Sequence, residues 1–267
     1  MLAARLGTAA VLIAGILAAL FFLPAGPLLV LVAAIMAAGG YEWARLCGLS
    51  ATHGFLFSGL VAVGVVAPAL AGVAYAVVAI GAAFWVVVAP LWLARGMAPS
   101  QRRLLLAAGV AVLVPAGAAL HVMTPLQVVL AVALTSIADS AAYFTGRAFG
   151  RRKLAPSISP GKTWEGVYGA VAATLVFAIA CHAFVPQLRS AIGGIAWVPY
   201  LLAAATLCAL GIAGDLFESA LKRQAGAKDS GTLLPGHGGV LDRIDSATST
   251  LPFAAGLWAL IGGRMGT

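Results

Sequence analysis

An all-α, polytopic integral membrane protein with about nine transmembrane helices and a cytoplasmic N-terminus is the fold class this sequence predicts, on three observations. Of 267 residues, 62% are hydrophobic and only 9% charged, whereas an ordinary soluble domain carries about 25% charged residues. The apolar residues are gathered into stretches near the roughly 20 residues that cross a bilayer core, and the basic residues alternate from loop to loop. A soluble globular enzyme is excluded, because so few charged side chains cannot solvate a 26.8 kDa globule.

The stretches run over 6–23, 27–43, 54–70, 73–93, 104–121, 125–144, 166–185, 197–217 and 247–263. Arg5 precedes the first, which is longer than the apolar region of a signal peptide and is followed at once by more apolar sequence, so it reads as a retained span. Pro24, Ala25, Gly26 and Pro27 break the chain between the first two spans, as a tight turn between antiparallel helices requires. Two regions are expected: 1–124, with about five spans, and 125–267, with about four spans and both long polar segments, near 145–165 and 218–246. When loops are assigned alternately, all sixteen Lys and Arg except Arg189 and Arg264 fall on one side. Cytoplasmic loops collect such residues, so both polar segments are expected there, and the net charge of +8 reflects topology, with no nucleic acid as partner. Cys47, Cys181 and Cys208 are far apart and read as packing residues. His53, His121 and His182 lack a second ligand at useful spacing, and the tryptophans other than Trp164 are expected in aromatic belts at the membrane boundaries.

All acidic residues except Glu42 lie between Asp139 and Asp245. Asp139 and Asp215 fall within apolar spans, where a carboxylate costs about 2.5 to 3.5 kcal/mol unless it faces protein, water or a cation; an ion pair between Asp139 and Arg147 is the bland alternative. The first polar segment ends in Ser157-Ile158-Ser159-Pro160-Gly161-Lys162-Thr163-Trp164-Glu165-Gly166. Gly161-Lys162-Thr163 is no P-loop, because Pro156 stands where that motif needs glycine and a membrane helix replaces the preceding strand. Thr163 can still cap the next helix, and the backbone amides there, with Lys162, suit a phosphate. The second segment holds Asp215, Glu218, Lys222, Arg223, Lys228 and Asp229, then a turn with Gly236, His237, Gly238 and Gly239, then Asp242 and Asp245. Carboxylates three residues apart at a helix start share a face and can hold one hard cation. Together these residues favour a polyphosphate and Mg²⁺ site.

Ser219-Ala-Leu-Lys222-Arg223, then Lys228-Asp229, then Leu234-Pro-Gly-His237-Gly238-Gly239-Val-Leu-Asp242-Arg-Ile-Asp245 resembles the diagnostic pattern of the phosphatidate cytidylyltransferases, or CDP-diacylglycerol synthases. Ala138-Asp139-Ser140 and Ser159 to Gly166 also resemble that family. The resemblance implies transfer of a cytidylyl group from CTP to phosphatidic acid, giving CDP-diacylglycerol and pyrophosphate. It implies a place in the inner membrane of a bacterium, with the site facing the cytoplasm. The lipid phosphate is already an anionic nucleophile, so the chemistry mainly demands cations that bring it against a triphosphate of like charge. Asp215, Asp242 and Asp245 are therefore expected to hold Mg²⁺, with a second cation in the family manner. Lys222, Arg223 and Lys228 are expected to neutralise phosphates, Lys162 and Arg147 to attract the lipid headgroup, Asp139 to line the cavity or to orient a base or metal, and His237 to donate to a phosphate or to stabilise its turn. Ser159, Thr163, Gly238 and Gly239 complete the expected substrate contacts. A homodimer is left open. The rival readings are another CTP-dependent membrane lipid enzyme, such as a polyprenol-type kinase, and an ion-coupled transporter, which should show two repeated halves.

Overall fold

The computed structural model describes residues 2–193, 197–233 and 238–262. α1 (Leu2–Phe22) and α2 (Ala25–Leu46) are separated by the expected break at Pro24. α3 (Ala51–Leu70) starts at Ser50, whose hydroxyl accepts the His53 amide. α4 (Ala74–Ala83) runs through a π-helical turn at Phe84–Val88 into α5 (Ala89–Arg95). α6 (Arg102–Val122) is followed by α7 (Pro125–Phe149), which opens with a Thr124–Gln127 capping box. α8 (Trp164–Phe184), a short α9 (Pro186–Ile192), α10 (Trp197–Gln224) and α11 (Leu241–Gly262) complete the bundle.

Among the described residues, seven helical stretches are long and apolar enough to cross a membrane: Ala25–Leu46, Ala51–Leu70, Ala74–Arg95, Pro99–Val122, Pro125–Phe149, Trp164–Phe184 and Trp197–Gln224. They match seven of the nine expected spans. The other two are helical but differ in character. α1 contributes a shorter apolar stretch, Ile13–Phe22. α11 lies inside the bundle, with Ser246, Thr248, Ser249 and Thr250 buried. The hydroxyls of Thr248, Ser249 and Thr250 are spent on backbone carbonyls, Ser249 reaching across to Leu210 of α10 at 2.7 Å, and that of Ser246 on a carboxylate of α7, so the polar groups cost little in a medium without water. Large apolar side chains such as Phe55, Leu60, Leu70, Ile80 and Val176 point outward, where a soluble protein would place charge.

The interior is built on Phe217 of α10. Trp43, Phe84, Trp85 and Trp92 surround it with ring centroids 5.4 to 6.3 Å away. Trp43 and Trp85 are each 1% exposed, so these two are core residues and not members of a boundary belt. Trp43 donates its indole N–H to the Leu105 carbonyl at 2.8 Å, and Gly109 makes room for it, since a Cβ there would lie 2.7 Å from that nitrogen. Residues of the first region thus pack directly around a helix of the second, and residue 124 marks no break in packing.

The polar segment after α7 is more ordered than a loop. β1 (Lys153–Ala155) and β2 (Ser159–Thr163) form an antiparallel hairpin, with Lys153 opposite Thr163. An isolated two-stranded hairpin is marginal. This one is tied down by Arg223, which donates to the Ile158 carbonyl at 3.2 Å, and by Glu165, which accepts the Arg151 and Arg152 amides.

Candidate active site

The C-terminal parts of α7 and α10, the hairpin with the start of α8, and the first turn of α11 converge at one end of the bundle. On α7, Asp139, Tyr143 and Arg147 follow at intervals of four and so share a face. β2 carries Ser159 and Lys162. Thr163 caps α8 through its hydroxyl, which accepts the Gly166 amide at 3.2 Å, as its position before the apolar run predicts. α10 supplies Asp215, and the first turn of α11 supplies Asp242 and Asp245.

These side chains line one cavity of about 540 Å³, whose wall also includes Ala142, Val167 and Ile212. Asp139, Asp215, Asp242 and Asp245 are all brought together there with Arg147, Ser159, Lys162 and Thr163. Lys162 reaches Asp215 at 2.6 Å, a charge-assisted contact that offsets part of the cost of a carboxylate in a span. Asp139 accepts from Ser246 at 3.3 Å. Its bland partner, Arg147, turns instead to the Tyr143 hydroxyl at 2.9 Å. Asp245 accepts the Ser246 amide at 2.7 Å.

Asp242 is held on both oxygens. Oδ1 faces the Lys222 ammonium at 2.7 Å, while Oδ2 accepts the Gly239 amide at 2.9 Å and both the amide and hydroxyl of Ser230 at 3.0 Å. Burial alone pushes this carboxyl up, but the Lys222 ammonium and the amides of Gly239 and Ser230 outweigh it and hold the group at about 2, against an ordinary 3.8.

Other predicted residues stand behind the cavity wall. Lys222 sits between Asp242 and Glu218, 3.0 Å from the latter, so Glu218 is a buried, paired acid. Arg223 is engaged with Ile158 and with the Ala227 carbonyl. Lys228 and Asp229 are exposed and do not line the cavity. Gly238 has φ +82°, a left-handed conformation that favours glycine, and a Cβ on Gly239 would come within 2.6 Å of Glu42 Oε2. These two glycines thus pack around carboxylates and do not face the cavity. His237 lies outside the described residues.

Sequence reasoning gave no role to Glu42, although its isolation as the sole acid before Asp139 was a signal. It is buried and accepts from Ser230, Val240 and Leu241. Ser230 and Ser246 were also missed, because a serine declares its role only once its carboxylate partner is placed.

The donor set suits Mg²⁺, a hard cation that takes oxygen ligands. Among the described residues no three Asp, Glu, His or Cys side chains close into a ligand cluster by themselves.

The cytidylyltransferase family matches residues 3–261. A phosphatidate cytidylyltransferase of Pseudomonas aeruginosa is 41% identical over 273 residues, covering 97% of this chain and 98% of that protein. Those of Haemophilus influenzae and Bacillus subtilis are 50% and 48% identical over 116 and 122 residues, covering 43% and 46% of this chain and 40% and 43% of theirs. On a match that spans nearly its whole length, the chain belongs to the cytidylyltransferase family.

Proposed function

We propose that this protein transfers the cytidylyl group of CTP to phosphatidic acid, giving CDP-diacylglycerol and pyrophosphate for phospholipid synthesis. The observation that carries the reading is one cavity in which four aspartates meet Lys162 and Arg147 beside apolar wall residues of membrane helices. The near full-length similarity to a protein named for that activity supports it.

A phosphate oxygen of the lipid attacks the α-phosphorus of CTP. The bond from that phosphorus to the bridging oxygen breaks, and pyrophosphate leaves with the electron pair. No proton need be removed from the nucleophile, so the residues serve mainly to balance charge and to position. Lys162 and Arg147 are the cations that face the cavity and offset the charge of the two phosphorylated substrates. Ala142, Val167 and Ile212 let the glycerolipid approach along a wall free of charge. Asp215, Asp242 and Asp245 would hold Mg²⁺, with Asp139 beside them, and the ion would supply positive charge to the triphosphate and the departing pyrophosphate. A second cation would share that role. Lys222 keeps Asp242 ionised and aimed, and Arg223 holds the strand pair that presents Lys162. The cavity faces the cytoplasm, where CTP is found, and the basic residues gathered at that end support this orientation.

Purified protein in detergent, given CTP, phosphatidic acid and Mg²⁺, should release pyrophosphate and form CDP-diacylglycerol. Transfer from CTP to another lipid, with none to phosphatidate, would favour the kinase-like alternative and overturn this reading.

A further inference from the structure

Glu42 lies near the C-terminal end of α2, far in sequence from every residue of the cavity, and is only 4% exposed. A buried carboxylate is costly unless its oxygens are satisfied. Glu42 has no ion pair among the described residues; its charge is met by hydrogen-bond donors of the second polar segment. Val240 donates its amide to Oε1 at 3.0 Å and Leu241 to Oε2 at 2.9 Å. Leu241 is the first residue of α11 and Val240 precedes it. Their N–H groups are among those a helix cannot satisfy internally, and they stand at the positive end of its dipole. Glu42 therefore caps α11 from a helix about 200 residues earlier in the chain.

The same carboxylate reaches Asp242 through one hydroxyl. Ser230 Oγ lies 3.0 Å from Glu42 Oε2 and 3.0 Å from Asp242 Oδ2. Gly231 and Gly239 press against Glu42 so closely that a Cβ on either would come within 2.6 Å of a carboxylate oxygen. Ser230 and Gly239 are also the two residues whose amides hold Asp242 Oδ2. Every neutral donor to Asp242 is thus braced by Glu42.

We infer that Glu42 is a positioning residue for Asp242, which makes α2 part of the catalytic apparatus; the inference rests on the role proposed above for Asp242. Glu42 touches no cavity surface. It sets where the first turn of α11 begins and where Ser230 stands, and through them the direction in which Asp242 is presented.

The test uses the full chain in detergent. Glu42→Gln keeps the size but replaces one acceptor oxygen with an NH₂ group that meets the amide donors. Turnover should fall, or the Mg²⁺ concentration for half-maximal activity should rise, by about 10- to 100-fold, while KM for phosphatidate stays unchanged. Amide exchange at Val240 and Leu241, measured without substrate, should accelerate by about tenfold or more, with exchange in α7 and α10 unaltered. Wild-type exchange at those amides together with wild-type Mg²⁺ dependence would overturn the inference. So would a uniform rise in exchange throughout the bundle, which would make Glu42 a support of the fold alone. If Glu42→Gln fails to fold, Ser230→Ala decides: it removes only the hydroxyl bridge and should shift Mg²⁺ dependence in the same direction, and a folded variant with wild-type dependence would overturn the link. The exchange measurement retains its meaning even if the acceptor proves to be another lipid.

Discussion

Asp242 combines a short contact to Lys222 with three donors on its other oxygen, so its substitution bears on both chemistry and stability. Asp242→Asn should lower pyrophosphate release by about 100-fold or more while the protein elutes as a folded species; near-normal activity would remove this residue from the site. Stability should follow its ionisation. A carboxyl depressed from 3.8 to about 2 contributes stability that is complete above the higher value and is lost as pH falls through the lower one. The stability gap between wild type and Asp242→Asn, measured by thermal unfolding in detergent at pH 7, should therefore close between about pH 4 and pH 2. Asp139, Asp215, Asp242 and Asp245 were legible in the sequence because acids are so rare in this chain. Glu42 was not, because its partners are amides whose availability depends on where α11 begins.

The hairpin and its flanking helices decide where Lys162 stands. Thr163→Ala removes the α8 cap and should cost about 1 kcal/mol of stability, read as a lowered unfolding temperature, whereas Thr163→Ser should retain it. Arg223 anchors the hairpin turn without facing the cavity, so Arg223→Ala should raise KM for phosphatidate more than it lowers kcat, as steady-state kinetics would reveal. Hydropathy located the spans well, since a bilayer demands long apolar helices whatever their neighbours. It missed the strand pair, which is stable only against Arg223 and Glu165, and it treated α11 as an ordinary span although its hydroxyls mark an interior helix.

Arg147, Lys162, Lys222 and Arg223 gather at the end of the bundle that holds the cavity. The native cysteines are buried, which makes introduced ones informative. A cysteine at exposed Ala225 should react with a membrane-impermeant thiol reagent only from the cytoplasm, and one at exposed Ala71 only from the opposite side; the reverse pattern would overturn the orientation. The aromatic packing of Trp43, Phe84, Trp85 and Trp92 on Phe217 joins the early helices to the catalytic ones.

Membrane residence, the placing of most helices and the chemical character of the site followed from composition and spacing, because water, lipid and phosphate impose their demands on residue types directly. The sharing of one cavity by distant acids, the withdrawal of Lys222 and Arg223 behind its wall, and the brace from Glu42 to Asp242 were decided by tertiary packing. A hydrogen bond needs its partners within about 3 Å, and residues about 200 positions apart meet at that distance only after the helices have folded together.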